Sequence, residues 1–290
     1  MNPPIVAAPG RWQDLGKRAA SAVVLLPLAI FCLWAGGTAW AILVLLALMG
    51  LAWEWTRLTG GEPRGPDGLM LQAAVLGGAG LALLGHGAWG LIWVLGAAVA
   101  TLLRVDRPVI GRLWLPGGVL YLGLAGLALA ALRQAPGGVG LANVLFVLVV
   151  VWSSDIGAYV AGRWWGGARL APAISPGKTR SGAVGGLVAA MLFGWAVAQL
   201  AAPGNGLVAV VLAATLSIVS QAGDLFESWV KRRFGVKDSS ALIPGHGGLL
   251  DRLDGLLWAA PVAALLGLAH GVAHGVSSGR GAGLGEFLWR

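Results

Sequence analysis

The 290-residue chain is 57% hydrophobic and 11% charged, less than half the charged fraction of an ordinary soluble domain, and its mean hydropathy is +0.79. The deficit of charge runs along the whole chain, which excludes a soluble globular domain and indicates a polytopic, all-α integral membrane protein. The single Cys32 excludes an intramolecular disulfide, and the net charge of +8 raises nucleic acid as a partner until its distribution is considered.

Residues 1–18 read as a short cytoplasmic tail carrying Arg11, Lys17 and Arg18. The apolar run that follows has signal-peptide features, but with eight more runs behind it the expectation is an uncleaved first span. About nine transmembrane helices are expected, at 19–36, 38–56, 69–85, 88–104, 116–132, 139–159, 182–202, 206–228 and 253–275. Each has the length needed to cross a hydrocarbon core about 30 Å thick. The gaps are short and rich in turn formers, such as Gly60-Gly61-Glu62-Pro63 and Pro203-Gly204-Asn205-Gly206. The 48 glycines suit close helix packing and the 15 Trp residues suit the bilayer interfaces.

Loop charge tests the span count. With the N-terminus cytoplasmic, only Arg133, Arg280 and Arg290 lie outside, and the other 17 of the 20 Lys and Arg residues lie inside. The positive-inside rule demands that asymmetry, and one span more or fewer would scramble it. It also accounts for the net charge without nucleic acid. The N-terminal helices, 1–135, are thereby distinguished from a C-terminal region, 136–290, whose polar loops 160–181 and 229–252 share the cytoplasmic face.

Chemistry concentrates in three clusters. Ser153-Ser154-Asp155 is followed by Tyr159, Arg163 and Ser175-Pro176-Gly177-Lys178-Thr179. Gly223-Asp224-Leu225-Phe226-Glu227-Ser228 ends a long apolar run. The stretch from Ser228 to Asp254 then holds five cations, three carboxylates and His246. Asp224 and Glu227, like Asp251 and Asp254, are three apart and share a helix face. Carboxylates gathered at membrane depth repel one another unless a cation intervenes, and oxygen ligands without Cys point to Mg²⁺. Acid-held metal beside basic residues suggests phosphoryl or nucleotidyl transfer.

Simpler readings stand beside these. Glu227 and Lys231 at i,i+4 pair with each other; Lys231, Arg232 and Arg233 anchor a helix end to headgroups; Glu54, between Trp53 and Trp55, is an interfacial residue. Gly177-Lys178-Thr179 resembles the end of a P-loop, but Pro172 stands where the first Gly belongs, and no buried parallel strand precedes it. An ion-coupled transporter would also place acids at membrane depth, although nearer midspan.

The stretch Ser228, Lys231-Arg232, Lys237-Asp238, Ser240, Ile243-Pro244, His246-Gly247-Gly248-Leu249 and Asp251-Arg252-Leu253-Asp254 resembles, at every specified position, the signature of the phosphatidate cytidylyltransferases, or CDP-diacylglycerol synthases. The resemblance extends upstream through Asp155, Tyr159, Arg163, Ser175, Lys178-Thr179 and Asp224, while the N-terminal half matches only as generic spans plus Glu54. It departs where the family has S-P-K-K-T-W-E-G and this chain has Gly177, Arg180 and Ser181. It implies that CTP and phosphatidate give CDP-diacylglycerol and pyrophosphate with Mg²⁺, with room for a second cation beside it, in an inner-membrane homodimer working among lipids with its site facing the cytoplasm. On that basis Asp224 and Asp251 are the expected metal ligands, with Asp254, Asp155 and Ser228 as further candidates. Lys178, Lys237 and Arg252 are expected on the triphosphate, His246 positioning it, and Lys231 and Arg232 on the phosphate of phosphatidate. Ser175, Thr179, Gly247 and Gly248 complete the expected binding residues. A CTP-dependent lipid kinase is the near alternative.

Overall fold

The structure is a computed structural model describing residues 11–104, 109–135, 138–201, 206–243, 245 and 247–273, with side chains except at 11–22, 109–112 and 270–273. The described residues form nine helices, α1 (Arg11–Ala35), α2 (Gly37–Leu58), α3 (Pro66–Leu83), α4 (Gly87–Leu102), α5 (Val109–Arg133), α6 (Val139–Trp165), α7 (Arg180–Ala201), α8 (Gly206–Arg233) and α9 (Leu250–Ala273). Helices are forced here because lipid leaves no other partner for backbone N–H and C=O groups. Seven are long and apolar enough to cross a membrane. The described apolar part of α1 is shorter, and α4, with 16 residues, is about 24 Å long.

Each expected span coincides with a helix, but several helices run past their apolar stretches. Helix α8 continues to Arg233 and α9 starts at Leu250, so Lys231–Arg233 and Asp251–Arg252 sit on helix ends instead of in a loop. Once a helix leaves the hydrocarbon, polar side chains extend it without penalty, so the apolar run underestimates its length. At Gly235 (φ 70°), α8 closes in a Schellman turn, Val236 N–H donating to Lys231 O and Gly235 N–H to Arg232 O.

Between α6 and α7 lies an antiparallel hairpin, β1 (Arg169–Ala171) with β2 (Ser175–Thr179), which periodicity in so short a segment does not announce. Gly177-Lys178-Thr179 therefore occupies a hairpin strand that runs directly into α7.

Cross-links sort the helix ends into two sets. At one end Arg133 donates to Leu33 O (2.9 Å) and Trp34 O, and Gln134 to Ala82 O (2.8 Å), tying the end of α5 to the ends of α1 and α3. At the other, Glu54 of α2 meets the start of α9, and Arg232 of α8 donates to Ile174 O in the hairpin. The two polar loops thus lie at one end of the bundle. Between the N-terminal and C-terminal helices runs a chain of aromatic contacts. Trp55 touches Trp114 and Tyr121, Trp114 packs on Trp229 and Phe234, and Tyr121 packs on Phe226 and Trp258, with centroids 5.0–6.4 Å apart.

Glycine sets the closest approaches. A Cβ at Gly185 or Gly186 of α7 would strike Ala161 or the carbonyl of Ser154 on α6. A Cβ at Gly223 of α8 would lie 2.9 Å from the carbonyl oxygen of Asp254 on α9, and one at Gly255 would run into Ser220 Oγ. These four positions require glycine because a neighbouring helix occupies the space a side chain needs.

Candidate active site

The last two turns of α8 divide the polar residues into two groups. One borders a cavity of about 530 Å³ enclosed by α6, the hairpin, α7 and α8, with Asp155, Tyr159, Arg163, Arg169, Lys178, Gln221 and Asp224 among its lining residues. Lys178, at the end of β2, forms an ion pair with Asp224. Asp254 of α9 adjoins Asp224 and lies within electrostatic range of Asp155, a juxtaposition made by the close approach at Gly223 and Gly255. Gln221, one turn before Asp224, donates to Ala183 O (3.2 Å) and Ser217 Oγ (3.2 Å), while Ser217 Oγ and Ser154 Oγ lie 2.8 Å apart. A buried polar seam therefore underlies the carboxylates.

The other group is knotted around Lys231. Its ammonium is 2.6 Å from Glu227 Oε2 and 2.7 Å from Asp251 Oδ1, with Glu227 only 2% exposed. Asp251 also accepts from Ser239 N–H (3.1 Å), Ser239 Oγ (3.1 Å) and Gly248 N–H (2.9 Å). As the acid in the first turn of α9 it is well placed against the helix dipole. The acids thus pair between helices, Asp224 with Asp254 and Glu227 with Asp251, each i,i+3 couple turning its shared face toward the other helix. The i,i+4 pairing of Glu227 with Lys231 is present as read from the spacing.

The remaining expected residues are placed as follows. Thr179 is buried and serves as the N-cap of α7, accepting the Gly182 N–H at 3.0 Å. Ser181, at the family's glutamate position, donates to Gly166 O. Ser175 is in register with Ala171 in the hairpin, and Ser228 is half-buried on α8. Lys237, Arg232 and Arg252 are exposed. Gly247 has a left-handed φ of 85°, and its carbonyl accepts the Ile243 N–H at 2.9 Å. A Cβ at Gly248 would lie 3.0 Å from both Asp251 Oδ2 and Glu54 Oε1. His246 and Pro244 fall outside the described residues.

The residue whose partners sequence reasoning did not supply is Glu54. It is fully buried among protein groups near the end of α2. It accepts from the N–H groups of Leu249 (2.8 Å) and Leu250 (2.6 Å) and from the hydroxyls of Ser239 and Ser240. The signal for it was an acid flanked by apolar and aromatic residues at the end of a span, where an uncompensated charge is costly.

The cytidylyltransferase family model matches residues 16–269, which takes in both polar groups and all the helices that carry them. The chain is 43% identical over 256 residues to a phosphatidate cytidylyltransferase of Brucella suis, covering 88% of this chain and 94% of the relative. It is 38% identical over 266 residues to the phosphatidate cytidylyltransferase of Pseudomonas aeruginosa, covering 87% and 96%. The protein of that name from Staphylococcus saprophyticus is 39% identical over 149 residues, covering 51% of this chain and 56% of the relative. With most of its length matched and its polar groups inside the match, the chain belongs to the cytidylyltransferase family.

Proposed function

We infer that this chain transfers the cytidylyl group of CTP to phosphatidate, giving CDP-diacylglycerol and pyrophosphate. The observation that carries the reading is the cavity where Asp155 and Asp224 meet Lys178, Arg163 and Arg169 at the ends of apolar helices. It offers anion-binding cations and metal-binding oxygens at a depth that a lipid phosphate reaches. A phosphatidate phosphate oxygen forms the new bond to the α-phosphorus of CTP as the bond to the pyrophosphate oxygen breaks. That oxygen is already ionised at neutral pH, so alignment and charge neutralisation dominate. Lys178, Arg163 and Arg169 hold phosphate oxygens, and Lys237 and Arg252 approach them from the signature loop and α9.

Mg²⁺ is the cofactor this reading expects. Asp224 would hold it, with Asp254 adjoining, and the ion would supply positive charge for the triphosphate. The donor set suits that ion: the oxygens are hard, and the Lys178 ammonium on Asp224 marks a place that favours a cation. Among the described residues no three His, Cys, Asp or Glu side chains form a metal cage, in keeping with an ion that takes its other ligands from water and substrate phosphates. Asp251 has both oxygens engaged by Lys231, Ser239 and Gly248, and it would be freer to serve as a ligand with Lys231 turned toward a substrate phosphate.

A homodimer in the inner membrane, with this end of the bundle facing the cytoplasm, completes the proposal. The test is product identity with purified protein, CTP, phosphatidate and Mg²⁺. Pyrophosphate and CDP-diacylglycerol are expected; release of CDP as the γ-phosphoryl group passes to a lipid alcohol would instead make it a CTP-dependent lipid kinase.

A further inference from the structure

We propose that Glu54 is a positioning residue that clamps the signature loop and the start of α9 in the shape that receives the nucleotide, a role that rests on the CTP reading above. Glu54 belongs to α2, about 190 residues away in sequence, yet its four described hydrogen bonds all go to residues 239–250. Two of the donors are backbone N–H groups that the first turn of a helix leaves without intrahelical partners, so the carboxylate caps α9 from a different helix. One turn earlier on α2, Gly50 leaves room for the loop to lie flat: a Cβ there would sit 3.2 Å from Leu249 Cδ2 and 3.4 Å from Leu242 Cδ2.

The clamp is continuous with the charged knot on α8. Ser239 Oγ stands 3.3 Å from Glu54 Oε2 and 3.1 Å from Asp251 Oδ2, so a single hydroxyl joins the two acids. None of Glu54's described bonds is to a cation, and a fully buried carboxylate without one is costly unless donors surround it. A glutamine fills the same volume but replaces one acceptor with an N–H₂ group facing N–H donors. Gly247, Gly248 and Lys237, which the family resemblance marks as nucleotide-site residues, lie in the segment this clamp holds.

Three variants test it: Glu54→Gln and Glu54→Asp from the α2 side, and Ser239→Ala/Ser240→Ala from the loop side. Glu54→Gln and the double serine variant are expected to raise KM for CTP by about 10–100-fold, the range for losing a group that orients a site residue. In Glu54→Gln, which leaves Ser239 on Asp251, KM for phosphatidate should stay within about twofold, and Glu54→Asp should recover part of the loss. Trypsin cleavage after Lys237, measured without substrates, should quicken in the same order. Wild-type protection together with wild-type KM for CTP in either the glutamine or the serine variant would overturn the clamp, as would, in Glu54→Gln, equal rises in both KM values with the loop still protected. The serine pair keeps the test decisive if Glu54→Gln does not fold. An opened loop in protein that never releases pyrophosphate from CTP would sink the reaction and leave the clamp standing.

Discussion

Two lysines each hold a carboxylate that the family resemblance marks as a metal ligand, Lys178 on Asp224 and Lys231 on Asp251. Asp224→Asn removes the carboxylate central to the cavity without changing its volume. Pyrophosphate release is expected to fall at least about 100-fold, in the range for losing one preorganised charge partner, with the protein still monodisperse in detergent. Lys231→Met should act on stability first. The lysine is 12% exposed and lies between two largely buried acids, so removing it leaves uncompensated charge at a cost of about 3–5 kcal/mol, read as a lowered Tm. Adding Glu227→Gln should restore part of that loss, whereas a Lys231 that serves only phosphatidate would leave Tm unchanged. The spacing of Glu227 and Lys231 disclosed their pairing because helix geometry alone brings i and i+4 together. Nothing in the spacing discloses that Asp251, 20 residues on, shares the same ammonium.

Among the elements, α8 and α9 matter most, and their separation is set by two glycines. Gly223→Ala and Gly255→Ala should drive the helices apart, since the first meets the Asp254 carbonyl and the second Ser220 Oγ. Activity should drop sharply while helix content by circular dichroism stays constant; wild-type turnover in Gly223→Ala would show that Asp224 and Asp254 need not adjoin. Thr179→Ala gives the opposite pattern. Losing an N-cap costs about 1 kcal/mol, so a lower Tm is expected with little change in KM for CTP, and a large rise in KM would return Thr179 to the ligand. Apolar runs disclosed every helix because lipid admits only segments that satisfy their own backbone. They did not disclose where polar helix ends stop, nor the hairpin, whose strands of three and five residues carry no usable period.

At the scale of the molecule, the loop after α8 and the hairpin lie at one end of the bundle, the end that the proposal above turns toward the cytoplasm on the strength of the loop charges. With Cys32→Ala as background, Ala241→Cys on the exposed loop should label only from the cytoplasmic side; labelling from the opposite side would invert the proposed orientation. Composition, hydropathy and the Ser228–Asp254 signature by themselves determined a polytopic helical membrane protein and its family, and set out where its polar residues concentrate, because lipid solvation and motif chemistry act locally along the chain. Only the tertiary structure decided how those residues group: Asp224 with Asp254 and Lys178, Asp251 with Lys231 and Glu227, and Glu54 beneath the signature loop. Those groupings depend on which helices approach across glycines and on a buried carboxylate meeting donors far away in sequence, and no local pattern encodes either.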